Sequence, residues 1–244
     1  MEIREERKIS ICNADGFTLV ELLITMVISG IIAGALYSTY LVQQHSYTNQ
    51  EVVAEMQQNI RAALMLMSRD IRMAGYDPVG SAGAGFVFAT ASKLNITVDL
   101  NEDGDLVTKN DLNGDGDTDD PGETSDDAGE NMTYELYTPT GASFTALHRR
   151  VGGQAVAENI QAIEFQYLDG SGNVLPLSSL TNQTGRDKIR SVQVSILARA
   201  SRKDPKFTNT KTYTTASGTT WGPYNDNYRR RLLITTIQCR NMGL

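Results

Sequence analysis

One short stretch of alternating acidic and amide side chains has the spacing of a cation site. Residues 111–117 read DLNGDGD, the order in which an EF-hand loop presents its first oxygen ligands. Oxygen donors at alternate positions converge on one ion, glycine permits the sharp turn, and such hard ligands favour Ca²⁺ over transition metals. The predicted Ca²⁺ ligands are Asp111, Asn113, Asp115, Asp117, Asp119 and Glu123.

A second and weaker cation candidate precedes the first. Its twelfth position is Asn110, so it lacks the glutamate that normally closes such a loop on the ion. Neither stretch is flanked by an evident pair of helices, which argues against a true EF-hand. The ligands of this second candidate are Asp99, Asn101, Asp103 and Asp105.

Both candidates lie in a strongly acidic insert, residues 99–130. Thirteen acidic residues and one lysine give the insert a net charge of −12, and the chain total of −7 leaves +5 elsewhere. A solvated Asp/Gly-rich loop is the alternative interpretation, because charge alone keeps such a loop soluble. The mutual repulsion of so many carboxylates favours a bound divalent ion, and Ca²⁺ is therefore the predicted cofactor.

A further carboxylate stands inside an apolar run. Residues 17–42 read FTLVELLITMVISGIIAGALYSTYLV, without Pro, Lys or Arg, and as a helix they are long enough to cross a bilayer of about 30 Å. Glu21 is the fifth residue of this run. A carboxylate deep in an isolated membrane helix costs roughly 2.5 to 3.5 kcal/mol, so a cationic partner is expected from outside the run.

The residues around the apolar run predict its orientation and exclude two common signals. Arg4, Arg7 and Lys8 precede it and the next basic residue after it is Arg61, so the N-terminus is predicted to be cytoplasmic. A secretory signal has a shorter apolar core and a small-x-small cleavage site. A lipoprotein signal carries its cysteine after the apolar core, whereas Cys12 stands before it.

A plain uncleaved membrane anchor is a further alternative, but it leaves the charge of Glu21 unexplained. The hexapeptide GFTLVE at residues 16–21 offers an explanation. It resembles the processing site of type IV prepilins, in which a polar leader ends in Gly and the helix carries Glu at its fifth position. The resemblance implies that a prepilin peptidase removes the leader, residues 1–16, by cleaving between Gly16 and Phe17, and that Phe17 is N-methylated. In a filament, Glu21 would then meet the terminal ammonium of a neighbouring subunit and fix the register of the packed helices.

The apolar run continues as an amphipathic helix. Apolar residues spaced three or four apart predict that one face of the helix is buried as far as Gly75, just before Pro78. Gly30 and Gly34 form a small-xxx-small pair for close helix packing, or are simply tolerated in a membrane helix. The apolar stripe comprises Val53, Met56, Ile60, Leu64, Met67 and Ile71.

Period-two alternation replaces the helical period downstream, and the residues DGSGN at 169–173 predict a hairpin turn. Consecutive strands without intervening helices favour an antiparallel sheet over the rear of the long helix. The predicted fold is α+β and type IV pilin-like, with a transmembrane half at 17–42, an amphipathic half at 43–76 and an exported β-rich domain at 77–244. The predicted strands are 93–98, 132–137, 144–149, 160–168, 189–198 and 231–239.

Three downstream stretches refine the resemblance: RDIRMAGY at 69–76, IRSVQV at 189–194 and YRRR at 228–231. They resemble the PilW type of minor pilin. The J-type pseudopilin of type II secretion is similar over the N-terminal third and is the alternative. The resemblance implies an inner-membrane protein with a periplasmic domain that later joins a pilus at the cell surface. The implied partners are minor and major pilins, the prepilin peptidase, the inner-membrane assembly platform and, before assembly, membrane lipid.

Other chemistry finds little support in the sequence. No Walker loop, nucleophile elbow or zinc spacing occurs, so an enzyme is not predicted. A pI of 4.9 argues against nucleic acid as a partner, although the basic runs 149–150 and 229–231 could contact DNA phosphates or other subunits. A calcium-dependent adhesin or DNA-uptake tip is therefore a third hypothesis. Cys12 lies in the leader and Cys239 in a terminal strand, so no disulfide is expected.

Overall fold

A computed structural model describes residues 16–104, 106, 129–142, 144–149 and 155–243. The chain divides into two units, Met1–Thr48 and Asn49–Leu244. Helix α1 covers Leu19–Met73, beginning in the first unit and ending in the second. The predicted helix from Phe17 to about Gly75 is thus confirmed to within two residues at each end.

The rear of α1 is amphipathic, as the sequence pattern predicts. Side chains three or four apart are buried, whereas the residues between them face solvent. Val53 and Leu64, also part of the predicted stripe, are half-buried and pack against the same core. The buried apolar residues of α1 are Met56, Ile60, Ala63, Met67 and Ile71.

A glycine turn ends α1. Gly75 has φ +79° and donates its N–H to the carbonyl of Thr97 at 3.2 Å, which joins the end of the helix to a strand. A Cβ at this position would lie 2.6 Å from Sδ of Met242. The backbone conformation therefore favours glycine here, and a larger residue would also have to displace the flexible Met242 side chain.

The first sheet is a five-stranded antiparallel meander in which each strand pairs with the next along the chain. Leu94, Ile96, Met132, Tyr134 and Leu147 are fully or almost fully buried and form part of the same core as α1. The strands are β1 (Phe86–Ala89), β2 (Leu94–Thr97), β3 (Asn131–Tyr137), β4 (Ala146–Arg149) and β5 (Ala155–Ala157).

The second sheet has three antiparallel strands. In β6 (Ile160–Leu168), Ile163, Phe165 and Tyr167 alternate with half-buried residues, which is typical of a strand with one face on a core. The other two strands are β7 (Ser191–Arg199) and β10 (Arg230–Gln238), and β7 lies between β6 and β10. A 3-10 helix (Leu177–Thr181) and α2 (Gln183–Arg186) precede β7, and the short strands β8 (Tyr213–Thr214) and β9 (Thr220–Trp221) pair before β10.

The described strands thus form two sheets and a short strand pair, whereas the sequence pattern favours one sheet. The separation occurs after β5, where Asn159 adopts φ +57° and turns the chain before β6 begins. The predicted turn at 169–173 forms, with Gly172 N–H donating to the Asp169 carbonyl at 3.1 Å. Only an isolated bridge, between Leu168 and Val174, joins the two sides of this turn. The pairing does not extend further because the chain soon enters the 3-10 helix. The α+β fold, a long helix packed on antiparallel sheets, is confirmed.

One buried carboxylate links α1 to the first sheet. Asp70 Oδ2 accepts hydrogen bonds from the Tyr134 hydroxyl and from Arg149 Nε, both at 2.6 Å. Tyr134 lies in β3 and Arg149 in β4, so the last turns of the helix are held to two strands. Arg69 Nε contacts Oδ1 of the same carboxylate at 3.0 Å from a largely exposed position. The guanidinium of Arg149 is therefore engaged inside the fold and does not form an exposed basic surface.

Candidate functional site: the N-terminal assembly segment

The first residues of α1 form a helix cap. Thr18 stands just before the helix, and its Oγ1 accepts the N–H of Glu21 at 3.2 Å. Thr-x-x-Glu is the sequence of a capping box, and a carboxylate in the first turn also interacts favourably with the helix dipole. Thr18 was not among the predicted site residues, although its spacing to Glu21 is a signal that the sequence contains.

The predicted cleavage point lies outside the helix. Gly16 and Phe17 precede α1 and are exposed, and the Phe17 side chain is 80% exposed. The cap at Thr18 begins the helical hydrogen bonding one residue later, with Leu22 N–H donating to the Thr18 carbonyl at 3.1 Å. The peptide bond between Gly16 and Phe17 is therefore not protected by helical structure.

The apolar half of α1 has no cover within its own unit. Every residue from Gly16 to Gln44 is exposed, including Leu, Ile, Val and Met side chains that are more than half exposed. Exposed apolar area of this extent indicates a surface meant for lipid or for other proteins. By length and composition, α1 is the one helix among the described residues that could cross a membrane.

The hydroxyl side chains in this half form hydrogen bonds within the helix itself, as polar groups in an apolar environment require. The hydroxyls of Thr25, Ser38 and Thr39 donate to carbonyls three or four residues earlier, at 2.8 to 3.0 Å. The Glu21 carboxylate differs, because within the described residues it forms no ion pair and its side chain is exposed. In lipid or in a bundle of helices this charge requires a partner from another chain or segment.

Gly30 and Gly34 present an open strip on the same helix. A Cβ built on either glycine would meet no atom within 4 Å. Contacts within the described part of the chain therefore do not explain the two glycines. Their predicted role in close helix packing stays a prediction.

Two family models match the chain at the segments described above. That of the prokaryotic N-terminal methylation motif covers residues 12–37, and that of the type IV pilus-assembly protein W covers residues 123–241. Together these matches support a type IV minor pilin. The methylation motif includes Gly16, Phe17 and Glu21, and together with the apolar helix it fits a membrane-anchored pilin.

A structural relative has also been solved. A type IV-like pilin from Thermus thermophilus superimposes with a TM-score of 0.41 and 15% sequence identity, over 77% of this chain and 98% of that one. No curated protein matches the chain significantly.

The residues of the calcium predictions fall largely outside the described part of the chain. All six ligands of the first candidate, Asp111 to Glu123, lie there, as does Asp105 of the second. Asp99, Asn101 and Asp103 are described, and they form one loop in which Asn101 Nδ2 donates to Asp103 Oδ2 at 2.8 Å. Among the described residues, no three His, Cys, Asp or Glu side chains converge on one point.

The basic run 229–231, at the start of β10, makes contacts within the fold. Arg229 donates to Asp204 Oδ2 through Nη2 at 2.7 Å and stacks on the ring of Phe207. Arg230, whose side chain is 2% exposed, pairs with Asp226 through Nη1 at 2.6 Å and lies 3.9 Å from the centre of the Tyr224 ring. These contacts support the interpretation of the run as structural and argue against a surface for DNA phosphates.

Cys239, just after β10, is buried and free. Burial raises the pKa of its thiol to about 12, which keeps the thiol protonated and unreactive at neutral pH. Its surroundings are those of a small apolar side chain in the core.

Proposed function

We propose that this PilW-type chain initiates or caps assembly of a type IV pilus with other minor pilins, after removal of its leader and N-methylation of Phe17. The observation that carries the proposal is the exposed apolar half of α1, which bears the methylation motif and one carboxylate without a partner in the described chain. Such a helix suits a membrane before assembly and a bundle of like helices afterwards.

The proposed mechanism begins with insertion, the N-terminus in the cytoplasm and the β-rich domain in the periplasm. The prepilin peptidase then cleaves between Gly16 and Phe17, where the chain is not helical, and creates a terminal ammonium. Capping by Thr18 keeps Glu21 in the first turn, close to the new terminus. In the filament, an ion pair between Glu21 and the ammonium of a neighbour is far more stable in an apolar medium than either charge alone.

The test compares two glutamates of the same helix in cells. Glu21→Gln removes the charge with little change of volume, and Glu51→Gln is the matched control, because Glu51 is also exposed on α1 but follows the apolar half. The proposal expects Glu21→Gln to be processed normally but absent from sheared filaments, with far fewer surface pili. Incorporation of Glu21→Gln at the level of the control would contradict it.

A second comparison separates pilus assembly from type II secretion by a J-type pseudopilin. Deletion of the chain is expected to abolish surface pili and to leave secretion of extracellular enzymes unchanged. Restored piliation on expression of the wild-type chain, with the protein found at filament ends by immunogold labelling, supports initiation or capping. Normal piliation with failed secretion would assign the chain to the secretion system instead.

A further inference from the structure

Strand β10 forms an open edge of the second sheet. It pairs with β7 on one side over all nine of its residues, without a bulge, and it contains no proline. Proteins usually shorten, bend or interrupt such an edge, because its unpaired N–H and carbonyl groups can bind another strand. A long and regular edge therefore indicates a place where a strand from outside can be added.

Alternate residues of β10 direct their backbone groups away from β7. The N–H of Cys239 donates to the Arg190 carbonyl at 2.9 Å. The N–H of Ala200 donates to the Arg229 carbonyl at 2.8 Å. Because hydrogen-bonded and non-hydrogen-bonded pairs alternate in an antiparallel ladder, odd-numbered residues of β10 bond to β7 and even-numbered residues face outwards. Among the described residues, no hydrogen bond reaches these outward backbone groups. They belong to Arg230, Leu232, Ile234, Thr236 and Gln238.

The opposite edge of the same sheet is closed. In β6, the N–H of Phe165 donates to the Ala91 carbonyl at 2.8 Å. The Tyr167 carbonyl accepts the N–H of Leu175, also at 2.8 Å. Connecting segments of the chain thus cover the edge at β6, whereas no described segment covers the edge at β10.

The side chains along β10 indicate the chemistry of the strand that this edge would accept. In the middle, Leu232 and Leu233 are half-buried and Ile234 is 39% exposed, so an added strand would remove apolar surface from water. Arg231 near the beginning and Arg240 just after the end are exposed, and neither forms an ion pair with another described residue. No acidic residue occurs between residues 227 and 244. A complementary segment is thus apolar in its middle and acidic at its ends.

The direction of β10 relative to α1 argues against a symmetric dimer as the occupant. Near the beginning of β10, which lies beside the end of β7, Ser201 Oγ donates to Glu55 Oε2 of α1 at 2.9 Å. Just after the end of β10, the N–H of Arg240 donates to the Arg72 carbonyl at 3.1 Å. Strand and helix therefore run in the same direction, and two β10 strands paired antiparallel about a two-fold axis would point their helices in opposite directions. Two chains anchored in one membrane with the proposed topology do not have this arrangement.

We infer that the free edge of β10 binds an extended segment of another minor pilin, which joins the three-stranded second sheet as an additional strand. The inference rests on the proposed function, because it names the surface through which this chain would meet its partner in the initiating or capping complex. Main-chain hydrogen bonds to the even-numbered residues supply affinity, and the apolar middle and basic ends of β10 select the segment. This contact lies on the exported domain and adds to the packing of the apolar helix halves.

Hydrogen exchange resolved at single amides tests the edge in the purified full chain in detergent micelles. In the chain alone, the outward amides of Ile234 and Thr236 are expected to exchange rapidly and the inward amides of Leu233 and Thr235 slowly. The other minor pilins of the same organism are then added one at a time, and one of them is expected to slow the outward amides about tenfold or more. Outward amides that are already protected in the chain alone, or that none of these pilins protects, would overturn the inference.

Substitutions at Ile234 separate backbone pairing from side-chain packing. Ile234→Pro removes an outward N–H without removing a hydrogen bond to β7, whereas Ile234→Thr, the matched control, keeps that N–H. The two variants are expected to have similar urea midpoints. Ile234→Pro alone is expected to bind the pilin about tenfold or more weakly and to lose most surface pili. Should Ile234→Pro fail to fold, Arg231→Glu is the second variant, and it is expected to weaken binding and to reduce the dependence of binding on salt.

Failure of the inference differs from failure of the proposed function. As many pili in the Ile234→Pro strain as in the Ile234→Thr strain, with few in the Glu21→Gln strain, would overturn the strand site alone. Normal piliation after deletion of the whole chain would contradict the proposed function, and the exchange experiment would still decide whether the edge of β10 binds a pilin.

Discussion

Asp70 shows how a single side chain can hold a helix to two strands. Its carboxylate is almost fully buried and accepts hydrogen bonds from Tyr134 and Arg149, which lie on neighbouring strands of the first sheet. Arg69 contacts the same carboxylate, but its side chain is 65% exposed against 18% for Arg149. The two arginines therefore provide a comparison of a buried and an exposed partner of one acid.

Substitution of Asp70 by Ala is expected to lower the free energy of unfolding by about 3 to 5 kcal/mol, because Arg149 and the Tyr134 hydroxyl would remain buried without their partner. Arg69→Ala is expected to cost at most about 1 kcal/mol, since water replaces an exposed ion pair easily. Urea denaturation of the full chain in detergent, followed by circular dichroism, measures both. Equal losses for the two variants would show that burial does not determine the strength of this contact.

Two buried tyrosines make the fold sensitive to alkali. Burial raises the pKa of Tyr167, and burial followed by the hydrogen bond to Asp70 raises the pKa of Tyr134. Both hydroxyls therefore stay protonated in the folded chain, whereas the unfolded chain loses these protons near pH 10. The stabilising effect is complete below that pH and is lost as the pH rises above it.

We accordingly expect the urea midpoint to be steady at neutral pH and to fall as the pH rises above about 9, where the unfolded chain loses first the proton of the Cys239 thiol and then those of the tyrosines. Tyr134→Phe is expected to be less stable at neutral pH but to show a shallower decline above about pH 10, because one of the groups whose pKa is raised by folding is gone. A midpoint that does not change with alkali, or an identical slope in Tyr134→Phe, would refute the assignment.

At the scale of elements, the beginning of α1 is determined by its cap. The hydroxyl of Thr18 accepts a hydrogen bond from the N–H of Glu21. Thr25, a threonine within the same helix, instead donates its hydroxyl to the Leu22 carbonyl. Thr18→Val should thus destabilise the first turn by about 1 kcal/mol, which corresponds to about fivefold faster amide hydrogen exchange at Glu21. Thr25→Val should leave that exchange rate unchanged, and equal acceleration in both variants would exclude a specific cap.

The segment between β7 and β10 depends on arginines packed on aromatic rings. Arg230→Ala is expected to cost about 3 to 5 kcal/mol, because its buried guanidinium pairs with Asp226 and lies over Tyr224. The adjacent Arg231 is exposed and serves as control, with an expected change within about 0.5 kcal/mol. Urea denaturation again decides, and similar effects at the two positions would mean that the run is a solvated strand end.

The elements that the sequence predicts best are those with a strong periodic pattern. Residues 160–168 alternate clearly and form β6 with the predicted bounds, and the stripe on the rear of α1 is buried as its spacing indicates. Strand β1 was not predicted, because its four residues, FVFA, have no alternation and glycines precede them. Asn159, which separates the two sheets, is a single residue whose φ no pattern reveals.

At the candidate sites, the contacts that sequence could not predict join residues that are far apart along the chain. Glu130 approaches Leu100 and Asn101 only because β2 pairs with β3, so its place beside the loop depends on the fold rather than on spacing. In the sequence, Asp70 does not differ from other polar residues near a helix end. Its role becomes evident only from the positions of Tyr134 and Arg149 in the folded chain. Glu21 differs, because its apolar surroundings are its sequence neighbours, and local sequence was sufficient to single it out.

At the scale of the whole molecule, the two units differ in how they bury apolar surface. The second unit has a continuous core that draws on α1 and both sheets, whereas the apolar residues of the first are exposed over the full length of residues 17–42. A chain with this distribution is complete only in lipid or among other helices. The PilW match and the methylation motif support a type IV minor pilin, for which a bundle of like helices is such an environment.

The most direct test is mass spectrometry of the N-terminal peptide of the chain recovered from sheared, purified pili. The account predicts a polypeptide that begins with N-methylated Phe17 and lacks residues 1–16, present in filaments of the wild-type strain and retained inside the cell for Glu21→Gln. A chain that still begins with Met1 and never enters the filament fraction would contradict it.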